Sequence, residues 1–246
     1  MRKALKNGIS VLFWLVVWQL AAMTANRSLL LPIPTPVDTA RALCRMAAEG
    51  GFWLTLGASL LRICAGFALA LLAGGAGAAV SARRPLFRQL AAPLVQLIRA
   101  IPVAVFTIVV FLWVSRPYIP STIVFLTVLP IVWSNVETGL ENADRHLSEM
   151  ARVFGMSRRA ILRQITLPGI RPYVSAAVTT GLGFAWKSGI AAEVICRTQG
   201  SLGDLLWSGK ATVSYDEVFA LTAVIVLCSA LLQRAFSGPK RREAAP

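Results

Sequence analysis

A chain of 246 residues that is 56% hydrophobic and 15% charged falls well short of the roughly one-quarter charged residues of a soluble domain. The formal net charge of +14 raises nucleic-acid binding, yet the basic residues are sorted along the chain by side and not gathered into one binding patch. Composition therefore excludes a soluble globular protein and predicts an all-α, polytopic membrane protein built as a single domain.

Six stretches carry no charge: 7–26, 63–82, 100–115, 117–136, 172–186 and 218–233. A helix needs roughly 20 residues to cross a hydrocarbon core, so the shorter stretches must borrow flanking polar or snorkelling residues. The predicted spans are about 8–25, 57–81, 95–115, 118–138, 173–195 and 217–236. The first follows Arg2 and Lys3 as a signal peptide would, but it is long, contains Trp14 and Trp18, and has no small-x-small cleavage site. A retained helix is expected.

With the N-terminus inside, seventeen of the 25 Lys and Arg fall on the inner side. They are Arg2, Lys3, Lys6, Arg83, Arg84, Arg88, Arg99, Arg145, Arg152, Arg158, Arg159, Arg163, Arg171, Arg234, Lys240, Arg241 and Arg242. Six fall outside (Arg27, Arg41, Arg45, Arg116, Arg197, Lys210), and Arg62 and Lys187 lie within or beside spans. This is the positive-inside asymmetry, which places both termini in the cytoplasm.

After the first span, Leu31-Pro32-Ile33-Pro34-Thr35-Pro36 is an extended, turn-forming run. Thr35 can cap a helix of about 36–49 with Pro36 at its first position and Asp38 closing the cap. That helix is short and amphipathic, and should lie on the outer membrane surface. The second span carries small residues every fourth position, at Gly66, Ala70, Gly74, Ala78 and Ala82. Such a face admits a close neighbour, either within the chain or across a subunit interface. Pro102 and Pro130 interrupt the third and fourth spans, where the freed carbonyls need protein partners or the water of a lined path.

The longest inner loop, about 141–171, contains a helical stretch at 147–154, Gly155, a second stretch at 157–165, and Leu167-Pro168-Gly169. A helix–Gly–helix unit of this kind can act as a lever for a cytoplasmic partner, or as a basic connector held by anionic lipid headgroups. Two charges fall in the fifth span. Lys187 suits an anion pathway, or else snorkels or pairs with another helix; Glu193 lies near the outer end, lining a pathway or reaching water. Glu137, near the inner end of the fourth span, has the same alternatives. Cys44, Cys64, Cys196 and Cys228 show no metal spacing, and only Cys44 and Cys196 share a side on which a disulfide could form. The only histidine is His146, and no cluster offers acid–base or metal chemistry, so neither catalytic nor metal-binding residues are expected.

Glu149-Met150-Ala151-Arg152-Val153-Phe154-Gly155, nine residues, then Ile165-Thr166-Leu167-Pro168 resembles the EAA loop of ABC importer permeases. The spacing agrees throughout, and Met150 stands where the family has its second Ala. Further segments resemble the nitrate/taurine/sulfonate-type permeases: Leu31-Pro32 with Pro34, Thr55-Leu56, Ser59-Leu60-Leu61-Arg62, Gly66-Phe67, Leu97 to Pro102, Trp186 to Gly189, Ala191 to Val194, and Gly200 to Gly203. The likeness runs from about residue 30 to 236.

This resemblance implies a type I ABC importer permease fold. It implies that Glu149, Ala151, Gly155, Ile165, Leu167 and Pro168 form the ATPase-coupling loop, with Lys187 and Glu193 as candidate pathway-lining residues. It further implies a permease homodimer, two cytoplasmic ABC ATPase subunits and an extracytoplasmic solute-binding protein, assembled in membrane lipid without nucleic acid. The chain has no Gly-x4-Gly-Lys-Ser/Thr phosphate loop, so it should hold no cofactor, and ATP with its Mg²⁺ should bind the partner. Sulfonate, taurine, nitrate or bicarbonate are the cargoes implied first. Vitamin precursors, phosphonates, methionine and metals are the alternative cargoes, and a channel independent of ATPases is the remaining alternative.

Overall fold

The structure, a computed structural model, describes residues 2–26, 33–143 and 145–236. The side chains of Arg2, Lys3, Lys6 and Arg145 lie outside the described residues, as do Arg27, Leu31, Pro32, Lys240, Arg241 and Arg242. The described chain is helical without a strand. In order it forms α1 (Arg2–Ala25), α2 (Pro36–Ala48), α3 (Gly50–Arg83), α4 (Pro85–Ala100), α5 (Val103–Phe111) and α6 (Ile119–Glu141). There follow α7 (Arg145–Val153), α8 (Arg158–Ile161), a π turn (Leu162–Thr166), α9 (Leu167–Cys196), α10 (Leu202–Ala211) and α11 (Tyr215–Phe236).

The centre is a packed trio in which α6 lies between α3 and α9. Gly66, Ala70, Gly74 and Ala78 are buried on α3, so four of its five small residues serve packing within the chain; Ala82 stays exposed. The approach is close enough that a Cβ on Gly66 would sit 2.3 Å from the Ser121 carbonyl oxygen, and one on Gly74 2.9 Å from Val132 Cβ. Ser121 Oγ donates to the Arg62 carbonyl at 2.8 Å, and Thr127 and Ser188 hydroxyls meet at 3.0 Å between α6 and α9. Trp186, 2% exposed, donates its indole N–H to the Ile225 carbonyl of α11 at 3.0 Å.

Among the described residues three segments are long and apolar enough to cross a membrane, Gly50–Arg83, Arg116–Glu141 and Tyr215–Phe236, and the α4–α5 pair makes a fourth if taken as one broken span. The six-span expectation thus meets fewer uniform spans, for reasons that differ by element. The predicted third span, 95–115, is not one rod: the chain breaks at Ile101-Pro102 and bends by 104°. Pro102 has no N–H to continue α4 and biases Ile101 toward the extended backbone it adopts, φ −80° and ψ 124°. α9 has 30 residues, but its Ser, Thr and Gly content and Lys187 dilute its hydropathy. α1 runs over 24 residues, and its described side chains begin with the apolar stretch Ile9–Ala25. By contrast α3, with 34 residues, reaches about 50 Å and overshoots a hydrocarbon core of about 30 Å.

The capping box of α2 is fully formed. Thr35 Oγ1 accepts from Asp38 N–H at 3.2 Å, while Asp38 Oδ2 accepts from the Thr35 hydroxyl at 2.7 Å and from its backbone N–H at 3.3 Å. The Thr35 hydroxyl is the largest influence holding the Asp38 carboxyl below its ordinary range. Arg45 then reaches Asp216 at 2.6 Å and ties α2 to the start of α11. At the other end of the bundle Arg88 pairs with Glu137 at 3.0 Å and also with Glu141, and Arg99 donates to the Pro130 carbonyl at 2.7 Å. Glu137 therefore has a partner inside the chain. The cysteines are all free, with Cys196 buried and Cys44 exposed, so the Cys44–Cys196 disulfide is absent.

Gly66→Ala should lower the thermal midpoint of the purified protein in detergent, because overpacking costs typically 1–3 kcal/mol. Gly75→Ala on the same helix meets nothing within 4 Å and should be neutral or stabilising by up to about 1 kcal/mol. Thermal unfolding followed by size-exclusion chromatography compares the two.

Candidate functional site

The loop between α6 and α9 contains a short helix with a defined stop. At the end of α7, Gly155 N–H donates to the Arg152 carbonyl and Met156 N–H to the Ala151 carbonyl, at 3.0 and 2.9 Å. That pair of bonds is a Schellman cap, and it requires the left-handed backbone that Gly155 supplies at φ +77°. Open space surrounds the position of an added Cβ, so the requirement is conformational and not steric. Ala151 is 7% exposed and anchors α7 from beneath. The opposite face is apolar yet open: Met150, Val153 and Phe154 are 56, 85 and 79% exposed. Spacing of i, i+3 and i+4 puts these side chains on one stripe, as in helices that seat in a partner's groove. Glu149 is exposed beside them and forms no ion pair with a described residue.

Beyond Gly155, Ser157 Oγ accepts from Ala160 N–H at 3.3 Å and starts α8. From Arg158 the helix runs through the π turn into α9 without a break. In that turn Leu167 N–H bonds to the Leu162 carbonyl, five residues back. Pro168 follows, a residue with no N–H whose ring would crowd the carbonyl four residues earlier, and a π turn accommodates such a residue. Ile165 is half-buried, whereas Leu167 and Pro168 are exposed. The six loop residues therefore divide: Ala151 and Gly155 shape α7, Glu149 lies exposed on it, and Ile165, Leu167 and Pro168 belong to the joint between the loop and α9.

The two membrane charges are separated. Trp186 and Ser188 are buried on either side of Lys187, and a Cβ on Gly189 would sit 2.5 Å from Ile63 Cγ1. These contacts fix the rotation of α9 and leave Lys187 exposed, on a face it shares with Ala176, Thr180 and Phe184. Lys187 forms no ion pair with any described residue.

Glu193 differs from its expected place. It is fully buried, so it neither reaches water nor lines an open path in this chain. Its Oε2 accepts from Ser59 Oγ at 2.9 Å and from Gly203 N–H at 3.3 Å, and Ser59 Oγ in turn accepts from Leu202 N–H at 3.0 Å. Gly203 is indispensable to the fit, because a Cβ there would lie 2.5 Å from the Glu193 backbone. Arg62 closes the arrangement by donating to the Gly200 and Gln199 carbonyls at 3.1 and 3.3 Å. Glu193 thus ties α3, α9 and the start of α10 into one knot. The sequence places Ser59, Arg62 and Gly203 far from Glu193, and no spacing rule joins them. The Met150, Val153, Phe154 stripe did have a sequence signal, three large apolar residues at helical spacing within a strongly basic loop.

Comparison with known proteins identifies related chains. The family model described as "binding-protein-dependent transport system inner membrane component" matches residues 56–236. The taurine transport system permease protein of Escherichia coli (strain K12) is 28% identical over 233 residues, covering 92% of this chain and 84% of its own length. The putative aliphatic sulfonates transport permease protein of the same strain is 30% identical over 223 residues, covering 88% and 80%. A bacterial alginate ABC transporter, solved with an alginate pentasaccharide-bound periplasmic protein, has a chain of the same fold, with a TM-score of 0.63 at 13% identity. That likeness covers 98% of this chain and 95% of the other.

Glu193→Ala would leave two buried donors without an acceptor, a loss of about 1–3 kcal/mol. Its thermal midpoint in detergent should fall clearly, whereas Glu193→Gln, which keeps a carbonyl oxygen for both donors, should lose much less. Equal losses in the two variants would assign the effect to the charge and not to the hydrogen bonds.

Proposed function

The chain belongs to the binding-protein-dependent transport system inner membrane components, the permease subunits of ABC importers, and on that footing we propose how its parts divide the work. Two copies face one another across the Lys187 side of α9 and enclose the translocation path. Each presents its α7 to one of two separate cytoplasmic ATPase subunits, which bind the nucleotide and Mg²⁺ and carry out hydrolysis. An extracytoplasmic binding protein delivers the solute to the other face. Both termini lie in the cytoplasm, as the sorting of basic residues supports.

The observation that carries the coupling role is the exposed stripe of Met150, Val153 and Phe154, standing on a helix that is rigidly stopped at Gly155. Exposed apolar side chains that project from the polar end of a bundle are suited to a partner's groove. The unbroken run from Arg158 into α9 supports the transmission, because a displaced α7 moves a rod that reaches Lys187.

The cargo is a small solute that carries an anionic group, such as a sulfonate, taurine or nitrate. Lys187 supports this: it is a cation at membrane depth, held outward by its buried neighbours and without a carboxylate partner among the described residues. A charge so placed costs about 2.5–3.5 kcal/mol on insertion scales unless it meets water or a counter-charge. A water-filled path that passes anions provides both. The relatives named for taurine and aliphatic sulfonates point to the same class, since both solutes carry a sulfonate group.

Gly155→Val should uncouple the transporter, because a branched residue at φ +77° is strained by about 1–3 kcal/mol and redirects α7. Substrate-stimulated ATPase activity of the reconstituted complex should drop sharply with membrane insertion intact. Gly155→Asn should retain more activity, since Asn tolerates the left-handed region, and Glu149→Ala should be milder still. Full coupled activity in Gly155→Val would reduce the loop to a connector.

Lys187→Ala should raise the KM for uptake of an anionic solute about tenfold or more, the value of one charge-assisted hydrogen bond. Assembly with the ATPase should be unaffected. Unchanged uptake kinetics in an intact complex would remove Lys187 from the path.

A further inference from the structure

We propose that the loop end of the bundle binds one anionic phospholipid, its headgroup on four arginines and an acyl chain in the cavity behind them. Between α3, α6 and α9 beneath the loop lies a half-open cavity of about 960 Å³. That is at the upper end of the roughly 300–1,000 Å³ usual for small-molecule sites. Its walls are apolar, with Ala79 from α3 and Ile170 from α9 among them. Its charged lining is of one sign: Arg83 from α3, Arg152 from α7, and Arg158 and Arg159 from α8, with no Asp or Glu.

The four guanidiniums are exposed, and none forms an ion pair with a described residue. Of the nearby carboxylates, Glu137 and Glu141 are taken by Arg88, and Glu149 on α7 neither lines the cavity nor pairs with any of the four. A concentration of positive charge with no internal counter-charge calls for an anion from outside. Free phosphate would answer the charge and leave the apolar walls unfilled, and a neutral lipid would do the reverse. An anionic phospholipid answers both.

The position agrees with this ligand. Arg83 directly follows the uncharged stretch 63–82 of α3, about 30 Å of helix, so its guanidinium stands where headgroups lie. A lipid held there would bridge Arg83 to Arg158 and so fasten the loop to the membrane-crossing helices. The inference stands whichever solute the permease carries, and its test measures no transport.

The test is native mass spectrometry of the permease–ATPase complex in mild detergent, with phosphatidylglycerol, phosphatidylcholine or inorganic phosphate added. A retained phosphatidylglycerol adduct is expected, with phosphatidylcholine washed away and phosphate a weak competitor. Arg83→Gln with Arg158→Gln should weaken retention about tenfold or more, given the attraction of each basic residue to an anionic surface. Ala79→Trp should weaken it with every charge kept, because the indole occupies the acyl space. Size-exclusion profiles check that each variant remains folded and assembled. Retention that is equal in wild type and both variants would overturn the proposal, as would complete displacement by inorganic phosphate. Loss of the ATPase subunits from the double variant, with lipid retention unchanged, would assign the arginines to the protein partner and overturn it too.

Discussion

In hydrocarbon, helices gain little by hiding apolar surface from one another, since lipid tails are as apolar as leucine. The close approach of α3 and α9 to α6 therefore has to be earned by van der Waals contact and a few hydrogen bonds. Gly66 and Gly74 bring the α3 backbone against Ser121 and Val132, and Thr127 meets Ser188 across the other seam. Everything functional hangs from that trio. The rotation of α9 within it decides that Lys187 faces outward, and the same helix continues through the π turn into the loop.

The molecule stiffens this core at both ends with polar contacts of different kinds. Toward α10, Ser59, Glu193 and the N–H of Gly203 form a buried network, and Arg62 holds the carbonyls of Gln199 and Gly200. Toward the loop, Arg88 grips Glu137 and Glu141, and Arg99 reaches the Pro130 carbonyl. A buried network is worth most when its members are satisfied, and it also fixes one arrangement of the helices over others. The apolar stripe of α7 stands outside the clamped region, where a moving partner can reach it.

Glu193 and Lys187 show how similar residues in one helix acquire opposite roles. Six residues apart, they lie on different faces of α9, so one turns into the chain and the other away. Ser59 and Gly203 supply donors to Oε2 of the buried Glu193, whose Oε1 is left without a partner; Lys187 has no such neighbour and depends on its surroundings beyond the chain. The broken α4–α5 element follows the same logic of local chemistry, with Pro102 ending one helix and opening another.

The sequence by itself determined the membrane class, the all-helical fold, the Thr35–Asp38 capping box and the residues of the loop from Glu149 to Pro168. Each of these depends on neighbours within a few positions: unbroken apolar runs, a cap and its third residue, or a Gly at a helix stop. Only the tertiary structure decided that the small face of α3 packs inside the chain, and that Glu193 is a buried tie and not a wall of a path. It also decided that four arginines from three helices share one cavity. The physical reason is distance along the chain. Ser59 and Glu193, or Arg83 and Arg158, meet only because α6 draws α3 and α9 together, and no local pattern in the sequence encodes that meeting.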